Sequence, residues 1–175
     1  MRIGISGIGG TGKTTLARAL ATRIAVPCVD EGVREWLAAR SRSGPWSLTA
    51  EDQMALQQHA IAYKIERETL PAFVSDRTTV DAVVLMTLRF ERLGAELPLD
   101  LRDLALHHAR GYDTAIVLGP RRASDAPDHV AMLDASIRPR EHALMLELYE
   151  QIGTRLIVVP PIPAGAILPF VEAHL

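Results

Sequence analysis

The chain has 175 residues, a hydrophobic content of 48% and a formal net charge of −2. This length suits one globular domain with a substantial core, and the near-neutral charge argues against a nucleic-acid binder, which usually carries a basic excess or stripe. The single cysteine, Cys28, excludes an internal disulfide.

Neither the start of the chain nor its longest apolar run predicts secretion or membrane insertion. The first residues, Met-Arg-Ile-Gly-Ile, lack a signal-peptide pattern. The longest apolar run, 156–171, contains four prolines, which argue against a transmembrane helix. We therefore expect a cytoplasmic protein that contacts neither membranes nor nucleic acids.

Short apolar runs alternate with stretches of helical periodicity along the chain. The predicted strands are 3–5, 26–29, 72–75, 114–118 and 155–159. The predicted helices are 13–25, 33–40, 50–70, 79–93, 99–109 and 140–152, the third of them capped by Thr49 with Asp52 three residues later. This alternation predicts an α/β fold of three layers, in which helices cover both faces of a five-stranded parallel sheet. Because the chain has no repeat and no linker, we expect 1–175 to form a single domain.

The segment from Gly7 to Thr14 matches the phosphate-loop pattern G-x-x-x-x-G-K-[ST], between the first strand and the first helix. Glycines let the backbone curl so that several N–H groups point at one anion, and the following helix adds its positive N-terminal end. We expect Lys13 to reach the β and γ phosphates of ATP and the Thr14 hydroxyl to bind Mg²⁺. The residues expected to contact the nucleotide here are Gly7, Gly9, Gly10, Thr11, Gly12, Lys13, Thr14 and, secondarily, Thr15.

The sequence disfavours a GTPase switch. Guanine is usually read by an Asn-Lys-x-Asp stretch, but the chain contains no asparagine. An Asp-x-x-Gly switch element is missing as well.

Two further motifs follow the second and third predicted strands. Residues 30–35 read Asp-Glu-Gly-Val-Arg-Glu, and residues 75–81 read Ser-Asp-Arg-Thr-Thr-Val-Asp. Together with the phosphate loop they resemble the nicotinamide riboside kinase-like P-loop proteins, a group also known as AAA-type ATPases and related to deoxynucleoside and thymidylate kinases. The resemblance runs from residue 1 to about 159 and implies a P-loop NTPase fold of the kinase type, with a lid at about 119–140.

The resemblance also implies roles for residues at the strand ends, where open α/β sheets bind their ligands. Glu31 would take the proton of the acceptor hydroxyl, with Asp30 as its competitor for that role. Asp76 would organise Mg²⁺ and its waters, and Arg77 would hold the acceptor or the moving phosphate. The alternatives are a helix-capping role for Asp30 and Glu31 and a structural ion pair of Arg77 with Asp76 or Asp81.

In the related kinases, arginines of the lid close over the phosphates. Here Arg138, within an Asp-x-x-x-Arg element, is the first candidate for that role and Arg122 is the second; the alternative is a solvated loop. Trp46 lies in the loop expected to face the acceptor, where it would either stack on a flat ring or pack against the neighbouring helix. The segment 160–165 carries no adenine signature, so ATP is preferred over GTP by analogy alone.

These observations predict an ATP-dependent kinase that moves the γ-phosphate of Mg-ATP to a hydroxyl of a small nucleoside-like or riboside-like molecule. A nucleoside monophosphate kinase is the alternative, with Arg34, Arg40 and Arg42 available for an acceptor phosphate. A third reading is a regulatory module that binds ATP with little turnover. The apolar helix at 80–88 either pairs two copies into a homodimer or lies in the core.

Overall fold

The computed structural model describes residues 1–40, 48–120 and 137–175. Its strands are β1 (Arg2–Gly7), β2 (Cys28–Val29), β3 (Phe73–Asp76), β4 (Thr114–Leu118) and β5 (Leu156–Val159). Neighbouring strands all pair in parallel, in the order β2-β3-β1-β4-β5. The predicted α/β fold with a five-stranded parallel sheet is confirmed, and the strand that leads into the phosphate loop lies at the centre of the sheet.

Helices cover both faces of this sheet. They are α1 (Lys13–Arg23), α2 (Val33–Ala39), α3 (Ala50–Arg67), α4 (Thr79–Leu93), α5 (Leu99–Ala109), α6 (Arg138–Ile152) and α7 (Ala164–His174). Successive side chains of a strand point to opposite faces, so the strands feed two separate cores. Ile5 and Ile116 pack with residues of α1 and α7 on one face, whereas Phe73 and Val117 pack with residues of α4, α5 and α6 on the other.

The elements whose bounds match the prediction have clear start and stop residues in the sequence. Helix α4 begins with a capping box, in which the Thr78 hydroxyl accepts from backbone N–H groups and the Asp81 carboxylate accepts from the Thr78 N–H. It ends at Gly94, which has the left-handed φ of 62° that favours glycine. Strand β2 is shorter than predicted, because Pro27 has no N–H to donate to the ladder and Ala25 turns the chain with a φ of 55°.

Sequence analysis missed the C-terminal helix α7. Pro163 immediately precedes this helix and Pro169 lies inside it on the exposed side. Ile167 and Val171, which are four residues apart, share one face and are buried in the core beside α1. Their burial compensates for the backbone hydrogen bond that a proline inside a helix removes. Among the described residues, no helix combines the length and the apolar character needed to cross a bilayer.

The apolar face of α4 belongs to the core of the chain itself. Val80, Val83, Val84 and Leu88 are all buried, and the helix contacts α3, α5 and α6. A homodimer would therefore need a different surface, and it stays a prediction.

Gly7, at the end of β1, is expected to tolerate substitution poorly. Its φ is 144°, and an added Cβ would lie 2.9 Å from the backbone oxygen of Leu118 in the neighbouring strand. We predict that Gly7→Ala lowers the free energy of unfolding by about 3 kcal/mol, because the backbone of β1 or β4 must move. Gly94→Ala is the matched control: its φ is also positive but an added Cβ meets open space, so the loss should be about 1 kcal/mol. Equal losses in urea unfolding would contradict this account.

Candidate active site

The candidate site lies where three adjacent strands end. Because β2, β3 and β1 are parallel neighbours, their carboxyl ends meet at one edge of the sheet. The phosphate loop follows β1, Asp30 and Glu31 follow β2, and Asp76 with Arg77 ends β3. The fold therefore brings together the three motifs that are far apart in sequence.

The phosphate loop has a backbone suited to an anion. Gly10 and Gly12 have φ values of 77° and 94°, and a Cβ added to either would meet nothing within 4 Å. No acidic residue occupies the first turn of α1, so the positive helix end is not neutralised there. The Lys13 ammonium donates to the Ile8 carbonyl at 2.7 Å, and the Thr11 hydroxyl donates to the same oxygen at 2.9 Å.

Lys13 is a buried cation. Burial, together with the charge of Arg77, lowers the pKa of Lys13 to about 8. A buried ammonium has already lost its hydrating water. An anionic ligand therefore stabilises its charge more than it would stabilise that of a solvated ammonium. Nucleotide phosphates in the loop would supply that anion.

Arg77 connects the strand ends. Its Nε donates to Glu31 Oε2 at 2.6 Å, and its NH1 group lies 3.4 Å from Asp81 Oδ1. Burial disfavours the charge of this guanidinium, but Glu31 and Asp81 outweigh burial and raise its pKa. Arg77 also has a φ of 62°, a left-handed conformation that costs a non-glycine residue about 1 to 3 kcal/mol. Strain of this kind is typical of functional positions held by their surroundings.

Asp81 ties the same cluster to the beginning of the phosphate loop. Its Oδ2 accepts from Ser6 Oγ at 2.5 Å and from the Thr78 N–H at 3.0 Å, and its Oδ1 lies 3.4 Å from the Gly7 N–H. The Tyr149 hydroxyl completes the cluster at 2.7 Å from Ser6 Oγ. The ion pair between Arg77 and Asp81 that was left open by the sequence is present, and it exists beside the pair with Glu31.

Glu31 is held from two sides. One carboxylate oxygen faces Arg77, and the other accepts from Arg34 Nε at 3.2 Å. Burial works to raise the pKa of Glu31, but the charges of Arg77 and Arg34 and the hydrogen bond from Arg77 outweigh burial and lower it. The carboxylate is consequently ionised, fixed in orientation and weakly basic.

A cavity of about 180 Å³ places the predicted metal-binding oxygens next to these carboxylates. Its lining is Thr14, Arg18, Asp30, Glu31, Gly32, Arg34, Glu35 and Asp76. Mg²⁺ prefers oxygen ligands and is usually bound through one or two carboxylates together with substrate phosphates and waters. The Thr14 hydroxyl and the Asp76 carboxylate, which belongs to a residue only 5% exposed, fit that pattern. Asp30 is exposed, and its carboxylate accepts from the Tyr63 hydroxyl at 2.5 Å.

The arginines expected from the lid are only partly described. Arg122 and Trp46 lie outside the described residues, as do Arg42 and most of the segment 119–140. Arg138 begins α6 and is half-buried. Arg140, two residues later, pairs with Glu91 of α4 at 2.8 Å.

Several polar residues near the site escaped sequence analysis. Ser6 and Tyr149 gave no signal, because neither belongs to a recognisable motif and their contact joins residues 143 positions apart. Glu141 of α6 is almost fully buried; burial raises its pKa, against the opposing charges of Arg77 and Lys13. Lys64 of α3 is also buried behind the strand ends. Its signal was compositional, since it is one of only two lysines in the chain.

Comparison with known proteins identifies the family of this chain and a similar enzyme. The model of the AAA domain family matches residues 2–165. Thymidylate kinase of Xanthomonas campestris pv. campestris (strain B100) is 29% identical over an alignment of 171 residues, which covers 83% of this chain and 71% of that kinase.

Solved structures are similar over almost the whole chain. NadR in complex with NR has a TM-score of 0.71 at 21% identity, covering 98% of this chain and 49% of NadR, so the chain spans about half the length of NadR. Deoxyadenosine kinase from M. mycoides with bound dCTP has a TM-score of 0.72 at 13% identity, covering 99% of this chain and 98% of that kinase. The predicted resemblance to P-loop nucleoside and nucleotide kinases is thereby confirmed.

The lowered pKa of Glu31 predicts how stability depends on pH. Because its folded-state pKa lies below the ordinary value of 4.5, the carboxylate contributes stability above that pH, and the contribution is lost as pH falls through the folded-state pKa. As the pH falls from about 5 to about 3, the free energy of unfolding should decrease by about 1 kcal/mol less in Glu31→Gln than in the wild type.

Glu147→Gln, which removes an exposed carboxylate from α6, is the control and should follow the wild-type profile. Parallel profiles for the wild type and Glu31→Gln, measured by urea unfolding, would show that the pair with Arg77 does not stabilise the fold.

Proposed function

We propose that this chain, which belongs to the AAA domain family, is an ATP-dependent small-molecule kinase that transfers the γ-phosphate of Mg-ATP to a hydroxyl group. The proposal is carried by one observation: the phosphate loop, Arg77 and the carboxylates of Glu31 and Asp76 converge at one edge of the sheet. Arg77 pairs with Glu31, and Thr14 of the loop lines one cavity together with Glu31 and Asp76. The similarity to thymidylate and deoxyadenosine kinases supports the same reaction class.

Nucleotide binding would rearrange the phosphate loop. In the structure the Lys13 ammonium satisfies the Ile8 carbonyl, and the β and γ phosphates offer it a stronger, charged acceptor. We expect Lys13 to move to the phosphates, while the N–H groups of the loop and the start of α1 bind the remaining oxygens. Lys13 would then offset charge on the transferring group.

The carboxylates and Arg77 would organise the reacting groups. Mg²⁺, held by the Thr14 hydroxyl and Asp76 when bound, neutralises charge on the nucleotide phosphates. Glu31 would accept a hydrogen bond from the attacking hydroxyl and fix its direction, and Arg77 would hold Glu31 in place. A weakly basic carboxylate is sufficient because the transition state of phosphoryl transfer is loose, so that positioning matters more than early proton removal.

The charge of the cavity supports a hydroxyl acceptor over a phosphate acceptor. Four carboxylates line it, from Asp30, Glu31, Glu35 and Asp76, against two guanidinium groups, from Arg18 and Arg34. Before Mg²⁺ is bound, an anionic monophosphate would meet a net negative lining among the described residues, whereas a neutral or cationic nucleoside-like molecule would not be repelled. We therefore propose a nucleoside-like or riboside-like acceptor.

A nucleoside monophosphate kinase is the second candidate, favoured by the 29% identity to thymidylate kinase. Arg34 is exposed and already pairs with Glu31, and the Arg40 guanidinium lies 4.0 Å from the centre of the Trp36 ring. An acceptor phosphate would compete with these contacts for the two guanidinium groups.

Acceptor-dependent ADP release separates these proposals. The protein is mixed with Mg-ATP and a panel of nucleosides, nicotinamide riboside, nucleoside monophosphates and simple sugars. We expect nucleosides or ribosides to stimulate turnover. Lys13→Ala and Glu31→Gln should each lower kcat by about 100-fold, because they remove a charge contact and an orienting acceptor used in the transition state. Glu147→Gln is the surface control and should retain wild-type turnover.

Two outcomes would contradict the leading proposal. Stimulation by monophosphates alone would make the protein a nucleoside monophosphate kinase. Tight ATP binding with no stimulation by any acceptor would instead support the regulatory module.

A further inference from the structure

Lys64 occupies an unusual place behind the candidate site. It lies in the last turns of α3, its side chain is only 4% exposed, and its ammonium points at the ends of β2 and β3. It donates to the Asp76 carbonyl at 2.9 Å, to Ser75 Oγ at 2.8 Å and to the Val29 carbonyl at 3.4 Å. An ammonium has three N–H donors, so each of them has an acceptor in this arrangement.

The carbonyls that Lys64 binds are those of the last residues of two neighbouring strands. Val29 ends β2, two residues before Glu31, and Asp76 ends β3, immediately before Arg77. Beyond this point the chain leaves the sheet, so these oxygens need partners from elsewhere. Ser75 Oγ lies 2.6 Å from the Arg77 carbonyl, and its single proton is shared between that carbonyl and Glu68. Lys64 thus holds the backbone on which Asp76 and the strained Arg77 stand.

A second layer of buried groups holds Lys64. Glu68, one helical turn later, has a carboxylate oxygen 3.7 Å from the ammonium and a short contact with Ser75 Oγ. Its other oxygen lies 2.8 Å from His108 Nε2 and accepts from the Tyr112 hydroxyl at 2.7 Å. Burial works to raise the pKa of Glu68, but the hydrogen bond from His108 and the charge of Lys64 outweigh it and lower the pKa. Burial also lowers the pKa of Lys64, against the charges of Glu68 and Asp76. The hydrogen bonds of Lys64 and Glu68 join α3 to α5 and β3.

Stability alone is a weak reason for this network. Replacing a buried ion pair by apolar side chains of similar volume is often neutral or stabilising. What an apolar pair cannot do is satisfy two strand-end carbonyls and fix the direction in which the following residues leave the sheet. Groups that hydrogen-bond a metal ligand directly affect metal affinity by about 10- to 100-fold when removed, and Lys64 would act one step further away, through the backbone of Asp76.

We propose that Lys64 is a positioning residue, which holds the ends of β2 and β3 so that the Asp76 carboxylate and the pair of Glu31 with Arg77 face the Mg-nucleotide. The inference rests on the proposed function, since it assigns Asp76 to the metal side of the site. Lys64 does not itself contact the ligand. Its effect passes through the backbone of Asp76 and through Val29.

The test measures the dissociation constant of ATP with Mg²⁺ and in EDTA, by calorimetry, without turnover. The ratio of the two constants, called the Mg²⁺ effect below, measures how much Mg²⁺ strengthens ATP binding and so tests the metal side of the site. Asp76→Asn is the reference variant and should lose most of the strengthening by Mg²⁺. We expect Lys64→Met to lower the Mg²⁺ effect by about tenfold, while ATP binding in EDTA stays near the wild-type value because the phosphate loop is intact.

Lys64→Met leaves Glu68 buried without its cation and will lower the melting temperature. The double variant Lys64→Met/Glu68→Gln removes both charges and is expected to recover much of that stability while the Mg²⁺ effect stays reduced. Val171→Ala, in the core on the opposite face of the sheet, is a control for lost stability and should keep the wild-type Mg²⁺ effect.

The outcomes separate the inference from the function on which it rests. If Asp76→Asn loses the Mg²⁺ effect but the double variant keeps it, the positioning role of Lys64 is overturned and the proposed metal site stands. If wild type and Asp76→Asn respond equally to Mg²⁺, the assignment of Asp76 fails, and the inference fails with it.

Discussion

The ion pair between Arg77 and Glu31 is the contact on which the geometry of the site depends. The two residues follow strands that are neighbours in the sheet but 46 positions apart in sequence, and their side chains meet at 2.6 Å. Asp81 adds a third connection, because it approaches Arg77 and at the same time accepts from Ser6 at the end of β1. A single half-buried guanidinium therefore joins the ends of three strands.

That arrangement explains why a strained backbone persists at Arg77. A left-handed φ is unfavourable for a residue with a Cβ, but the conformation is fixed from several directions. Its side chain is paired twice, the capping box of α4 begins at the next residue, and Lys64 holds the carbonyl just before it. Removing one partner of this half-buried pair would leave the other charge without its partner, so the pairs oppose a relaxation of the strained backbone.

Sequence analysis succeeded where the signal was local. The phosphate loop, the cap at Thr49 and the alternation of apolar runs with helical periodicity depend on residues close together in sequence. These features were enough to predict the fold class and the bounds of α4, α5 and β4. The motifs after the second and third strands lie at the same edge of the sheet as the phosphate loop, as predicted, because parallel strands end together.

The features that escaped depend on contacts between distant elements. The partners of Asp81 include Ser6, 75 positions away, and the ammonium of Lys64 binds carbonyls that have no side-chain signature. Helix α7 escaped for a different reason: the prolines around it obscured a helix whose buried face is only Ile167 and Val171. A motif also could not tell whether Arg77 contacts a ligand itself or only positions Glu31, because the same residues are present in both cases.

The central claim is that a nucleoside triphosphate binds in the loop after β1 and is faced by Asp76 and by Glu31 with Arg77. A crystal structure with Mg²⁺ and a non-hydrolysable ATP analogue tests it most directly. We predict that the Lys13 ammonium leaves the Ile8 carbonyl and contacts the phosphates, that Thr14 and Asp76 lie on the metal side, and that the pair between Arg77 and Glu31 is retained. A structure in which the saturating nucleotide binds elsewhere, with Lys13 still on the Ile8 carbonyl, would contradict the account.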